Sequence, residues 1–242
     1  MHMAAKTLLT VALFLVGLAP TAHALELVVD LPEPGHAVGH AAVRVRSFDA
    51  DVEVIYDFGR YGRTWGELRM SGEGILRVWR GPRQVRQYLR RNRPFRKTVG
   101  FEIAVTESEE RAIHRYYEEL LSQGVMVPTP GSRPRWRLPH DYDGVAVQCM
   151  STALAGLKAV WPRERWEHLI NPRFNRGKGF GPRLRRYYFA RQQKLGVHDT
   201  NAPLDVVAAL LAALRSDPAV ISRVRHYSKA RVVSARRRPR PM

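Results

Sequence analysis

The hydrophobic pattern of this chain changes period part-way along, and that change limits the fold more than any single motif does. From residue 25 to 105 the apolar residues come in short stretches, several of them alternating with polar ones. Segments 25–32, 39–45, 52–58, 74–81 and 97–105 read as strands. A short basic helix, 82–92, interrupts them, with Pro82 at its first position. Beyond Thr106 the spacing becomes helical. Over 107–123, Ile113, Tyr116, Tyr117, Leu120 and Leu121 make one apolar face. Thr106 and Glu109 form a capping box at its start, and Gly124 reads as its C-cap. Two further helices follow: 149–160, stopped by Pro162, and 203–215, opened by Pro203 with Asp205 in its first turn. Strands first and helices later predict an α+β fold with an antiparallel sheet.

The first residues read as an address. Lys6 precedes an eleven-residue apolar run, Leu8–Leu18, and Ala22-His23-Ala24 offers a small-x-small cleavage site that would leave Leu25 at the mature N-terminus. A membrane-spanning helix needs about 20 apolar residues, more than this run supplies before Pro20. No cysteine follows the cleavage site, which argues against a lipid anchor. The expected organisation is a signal peptide at 1–24, a core domain at 25–162, a basic helical extension packed on it at 163–230, and a disordered basic tail at 231–242. The expected location is periplasmic or secreted.

Charge and cysteine usage narrow the function. The chain has 40 Lys+Arg against 22 Asp+Glu, a net charge of +18. The signal holds one Lys and no acid, so cleavage would leave +17. Such a charge calls for anionic partners. The basic residues are spread over 83–97, 173–191 and 223–240, with no zinc-finger spacing, RNP-type motif or basic zipper. For an exported protein this favours an anionic envelope surface (phospholipid, lipoprotein or peptidoglycan), and no nucleic-acid partner is expected. Cys149 is the only cysteine. It therefore has no intramolecular disulfide role, and is either an inert buried residue or a reactive thiol.

Cys149 falls at the predicted start of a helix, where free N–H groups and the helix dipole favour a thiolate and an oxyanion. Such a nucleophile needs a base. If the hairpin turn is centred between Phe48 and Asp49, Arg44 faces Glu53, Val43 faces Val54, Val45 faces Val52 and Ala41 faces Tyr56. That register puts His40 directly opposite Asp57, at the Cβ separation of about 5 Å usual for opposed residues. Cys149, His40 and Asp57 then form a nucleophile–base–orienter set. Each also has a purely structural reading: a core thiol for Cys149 and a satisfied strand histidine for His40. Gln148 offers an amide to an oxyanion or a surface role. His36 is a weaker alternative base, with no orienter beside it. The run His140-Asp141-Tyr142-Asp143-Gly144 lacks further ligands at metal spacing and reads as a turn; no metal or cofactor is expected. Residues 177–181 (GKGFG) lack P-loop spacing, and no serine nucleophile elbow is present.

The order of several short motifs resembles a known group. Gly39-His40, Tyr56-Asp57-Phe58-Gly59, Gly74-Ile75-Leu76, the Thr106-capped helix, and Tyr142-Asp143 leading to Cys149-Met150-Ser151-Thr152 are similar to the periplasmic domain of bacterial lipoprotein N-acyltransferase-type proteins. That family shows Gly-His-Thr, Tyr-Asn-Phe-Gly and Asn-Cys-Ala-Thr at these places. The layout also resembles the wider permuted papain-like group of NlpC-type amidases and lecithin:retinol acyltransferase-like enzymes. The likeness spans about residues 35–160. It implies a permuted papain-like α+β fold with Cys149 as nucleophile and His40 as base. Asp57 stands where the family has asparagine, as does Gln148 before the cysteine. The membrane-embedded part of the acyltransferases has no counterpart in 163–242. The implied activity is cysteine-dependent acyl transfer, as hydrolase or acyltransferase, on an ester or amide of a cell-envelope substrate. The alternative is a non-catalytic basic module that binds anionic envelope surfaces.

Overall fold

A computed structural model describes residues 23–32, 38–47, 50–91, 96–128, 133–167, 172–197, 201–216 and 220–227. The elements run β1 (His23–Asp30), β2 (His40–Ser47), β3 (Val52–Gly59), β4 (Thr64–Trp65), β5 (Ser71–Gly72), β6 (Ile75–Arg80), α1 (Gly81–Arg91), β7 (Thr98–Val105), α2 (Glu107–Ser122), β8 (Val125–Met126), β9 (Arg135–Arg137), β10 (Tyr142–Asp143), α3 (Cys149–Val160), α4 (Arg163–Trp166), α5 (Pro182–Leu195), α6 (Pro203–Ser216) and β11 (Ile221–His226). Eight strands form one sheet in the order β11-β7-β1-β2-β3-β6-β9-β8, and β10-β5-β4 form a small second one. Every ladder among the described residues is antiparallel. The fold is α+β, as the change of period predicts.

Alternation along the strands sends side chains to two faces. Leu25, Leu27, Val29, Ala41, Val43, Val54, Tyr56 and Phe58 join the main core beneath α2, α3 and α6. Val28, Ala42, Ile55 and Trp79 pack on the other face against Val85, Tyr88 and Leu89 of α1. Each fully buried Val, Leu or Phe contributes about 1.5–3 kcal/mol, so the two-sided burial of β1 to β3 makes them the sheet's anchor.

The helix carrying the cysteine is fixed by α2. The Thr106 hydroxyl accepts from Glu109 N–H at 3.2 Å, and the Glu109 carboxylate accepts from Thr106 N–H at 2.7 Å, completing the predicted capping box. Within α2, Tyr117 donates to the carbonyls of Thr152 and Ala153, both at 2.9 Å. Gly156 permits this close approach: a Cβ there would lie 2.8 Å from Tyr117 Cε2 and 2.9 Å from Ile113 Cγ2.

Three expectations change. The β2–β3 register pairs Val43 with Tyr56, Arg44 with Ile55, Val45 with Val54 and Arg46 with Glu53, two residues away from the predicted pairing. A shift of two keeps every side chain on its own face, so hydrophobic alternation cannot tell the two registers apart. Gly124 is not a left-handed cap: the cap residue is Gln123, in the right-handed helical region. Gly124 instead lies against β9, where an added Cβ would sit 3.1 Å from Trp136 Cβ. Finally, β9 is not among the expected strands; α5 lies within the expected helical extension, but β11, also within it, is a strand that joins the main sheet beside β7.

The expected signal lies outside the described residues up to position 22. β1 begins at His23, and Leu25, the expected mature N-terminus, pairs with Ile103. The tail at 231–242, His36 and the hairpin turn residues Phe48 and Asp49 also lie outside them. No described helix is long and apolar enough to cross a membrane.

Candidate functional site

His40 is the first residue of β2, at an open strand end. In the observed register it is the diagonal neighbour of Asp57, a spacing that a histidine ring spans. Its Nε2 lies 2.5 Å from Asp57 Oδ1. The predicted His–Asp contact therefore forms, although by a different pairing. The same holds for Arg44, which pairs with Glu53 diagonally.

Asp57 is fully buried and its two oxygens have separate duties. Oδ1 meets His40 and accepts from the Tyr61 hydroxyl at 3.0 Å; that hydroxyl also lies 3.0 Å from His40 Nε2. Oδ2 accepts from Arg77 Nε at 3.0 Å and from Arg77 Nη2, with Arg91 Nη2 at 3.9 Å. Burial alone would raise the Asp57 pKa; the charges of Arg77, His40 and Arg91 outweigh it and hold the carboxylate well below its usual range. Tyr61 is pushed the other way, upward, by burial and by the Asp57 charge, so it serves as a neutral donor.

Cys149 opens α3, is 1 % exposed and belongs to the main core. His40 and Asp57 project on the α1 side of the sheet, yet His40 sits at the strand end, where its ring also meets the thiol. Burial works to lower the His40 pKa. The Asp57 charge, the Cys149 charge, and side-chain hydrogen bonds from both prevail and raise it to about 9. His40, 14 % exposed on its side chain, is an imidazolium at neutral pH. Nε2 is taken by Asp57 and Tyr61. Tyr142 closes the other side: burial first, then Cys149, raises its pKa. The three residues of the predicted set are thus brought together.

Gln148, just before the thiol, is the N-cap of α3 and is buried. Its amide Nε2 donates to the Asn201 carbonyl at 3.3 Å, so the candidate oxyanion donor is anchored to the loop before α6. Ser151 Oγ accepts from Gln148 N–H at 2.9 Å and donates to the Gln148 carbonyl at 3.0 Å. Asp143 is fully engaged: Oδ1 accepts from the N–H groups of Val145 (2.8 Å) and Ala146 (3.1 Å), and Oδ2 from Arg191 at 2.9 Å. His140 lies beside Phe58, 5.7 Å between ring centroids, and burial lowers its pKa. No cluster of three metal-ligating residues occurs among the described residues.

Tyr61, Arg77 and Arg91 complete the site beyond the residues that the sequence singles out. Arg77 had a signal: it faces inward within the otherwise apolar strand Gly-Ile-Leu-Arg-Val-Trp, directly opposite Asp57. Tyr61, in a glycine-rich loop, had none. No family model, curated protein or solved structure matches this chain.

Proposed function

We propose that the protein is an exported cysteine-dependent acyl-transfer enzyme of permuted papain-like type, acting on an ester or amide of a cell-envelope substrate. The carrying observation is a histidine held between a buried carboxylate and the thiol at the start of a helix. In this reading Cys149 Sγ, as the thiolate paired with the His40 imidazolium, attacks the carbonyl carbon. The carbonyl π pair moves to oxygen, facing the free N–H groups at the start of α3. The intermediate collapses, the bond to the leaving alcohol or amine breaks, and His40 Nδ1 supplies its proton. A thioester remains on Cys149. His40, now neutral, takes a proton from water or an acceptor amine, which attacks the thioester and releases the thiolate. Asp57 and Tyr61 fix the ring so that Nδ1 faces sulfur throughout. The basic surface would hold the enzyme against anionic lipid or wall polymer.

The experiment sets purified peptidoglycan and phospholipid vesicles, with and without a lipoprotein acceptor, against wild-type protein and Cys149→Ser. Release or transfer of acyl or peptide product by the wild type alone is the expected result; equal product from both proteins overturns it.

The 1 % exposure of Cys149 favours a second reading, in which the thiol only fills the core and the domain is a basic binding module. That reading predicts salt-sensitive envelope binding that survives His40→Ala, with no thiol reactivity.

A further inference from the structure

On the sheet face opposite the main core, Asp57, Arg77 and Arg135 are direct partners across the adjacent strands β3, β6 and β9. Two more guanidiniums converge on this row. Arg91 comes from the end of α1 and Arg133 from the residues before β9. Each of three arginines is laid over an aromatic ring: Arg77 over Tyr61 at 3.5 Å, Arg91 over Tyr88 at 3.4 Å, and Arg133 over Trp79 at 3.6 Å. Such stacking orients the planar forks and leaves their N–H edges to bond in plane, as Arg77 does to Asp57.

The charges do not balance. Among the described residues, four guanidiniums and the His40 imidazolium face two carboxylates, Asp57 and Asp30, of which Asp30 lies 3.4 Å from Arg91. Arg133 has its pKa lowered by burial and by repulsion from Arg77, Arg91 and Arg135. Arg91 Nη1 and Arg135 Nε are buried without a hydrogen-bond partner among the described residues. Buried donors in a positive field are the complement of a bound anion.

We propose that this cluster binds a phosphate group. This positive excess suits a phosphate monoester, which carries about −1.5 to −2 at pH 7. Guanidiniums arriving from three elements need more acceptor oxygens than one carboxylate offers, and phosphate presents them in tetrahedral array. Phosphate binding stands apart from the catalytic reading; joined to it, the site makes the acyl donor or acceptor a phosphate-bearing molecule. Asp57 links the two, with Oδ1 on His40 and Oδ2 on the arginines.

The test titrates inorganic phosphate, then glycerol phosphate, into the purified protein at pH 7 and constant ionic strength, followed by calorimetry. Wild type is compared with Arg133→Gln/Arg135→Gln and with Arg83→Gln/Arg86→Gln, which removes equal charge from the exposed side of α1. Saturable one-to-one binding by wild type and the α1 variant, at least tenfold weaker in the cluster variant, is expected. Absence of saturable binding in wild type, or equal loss in both variants, overturns the proposal. Should the cluster variant unfold, Arg133→Lys keeps the charge but not the fork and must weaken binding at least threefold; unchanged affinity overturns the proposal. Cys149→Ala must bind phosphate as wild type does, which separates this site from the catalytic one. Phosphatidylcholine vesicles doped with phosphatidate distinguish the sources. Capture far above that of glycerol phosphate, lost in the cluster variant, places the phosphate on a lipid; capture no stronger than glycerol phosphate places it on a soluble ligand.

Discussion

Replacing Asp57 by Asn removes one charge and almost no volume, and so isolates what the buried carboxylate does. It faces His40, Tyr61 and Arg77. His40 titrates at about 9 in the folded chain against 6.5 ordinarily, which corresponds to about 3 kcal/mol of folding stability. The folded pKa is the higher one. This contribution is therefore fully present below pH 6.5 and is lost as pH rises through about 9. In Asp57→Asn the burial of His40 is opposed by Cys149 alone, so the histidine titrates well below its wild-type position and the slope over this window disappears. A second loss is independent of pH. Arg77, largely buried, is left without its ion-pair partner, at a cost of roughly 3–5 kcal/mol. Urea unfolding at pH 6, 7.5 and 9.5, with the His40 ring titrated by NMR, reads both. The reasoning fails if wild-type His40 titrates near 6.5, or if Asp57→Asn keeps the wild-type pH slope.

Two other changes test the scaffold. Asp205 is fully buried and accepts the N–H groups of Arg176 (3.1 Å), Gly177 (2.7 Å) and Lys178 (3.2 Å). Asp205→Ala orphans all three and should cost roughly 2–4 kcal/mol in a urea titration, since a buried donor without a partner costs about 1–3 kcal/mol. Thr106→Ala breaks the α2 capping box and should cost about 1 kcal/mol, a fall of about 2–4 °C in Tm by calorimetry.

The sequence was most legible where the physics is local. The capping box, the periodicity of α2 and the start of α3 at Cys149 each depend on residues within one or two turns, and all three lie where the pattern places them. The His40–Asp57 contact was legible for a broader reason. Both residues sit on the same face of adjacent strands, so it survives a register shift of two. Gly124 misled because glycine permits either a left-handed cap or a close approach, and only the packing of β9 decides which. β9 and β11 are short and arginine-rich. They are strands because β6 and β7 offer edges to pair with, which no window of their own sequence records. The guanidinium cluster was hidden likewise, because Arg77, Arg91 and Arg133 come together only once β6, α1 and β9 are in place.

The central claim is that Cys149 and His40 act as a pair. The most direct measurement is the rate of alkylation of Cys149 by a small neutral reagent such as iodoacetamide, in wild type and His40→Ala, at pH 6 and pH 9. The account predicts that wild type is alkylated at least tenfold faster than His40→Ala at pH 6, because the variant lacks the base paired with the sulfur. A rate that climbs with pH like that of a free thiol, about tenfold per pH unit below 8.5, with the same profile in His40→Ala, would contradict it.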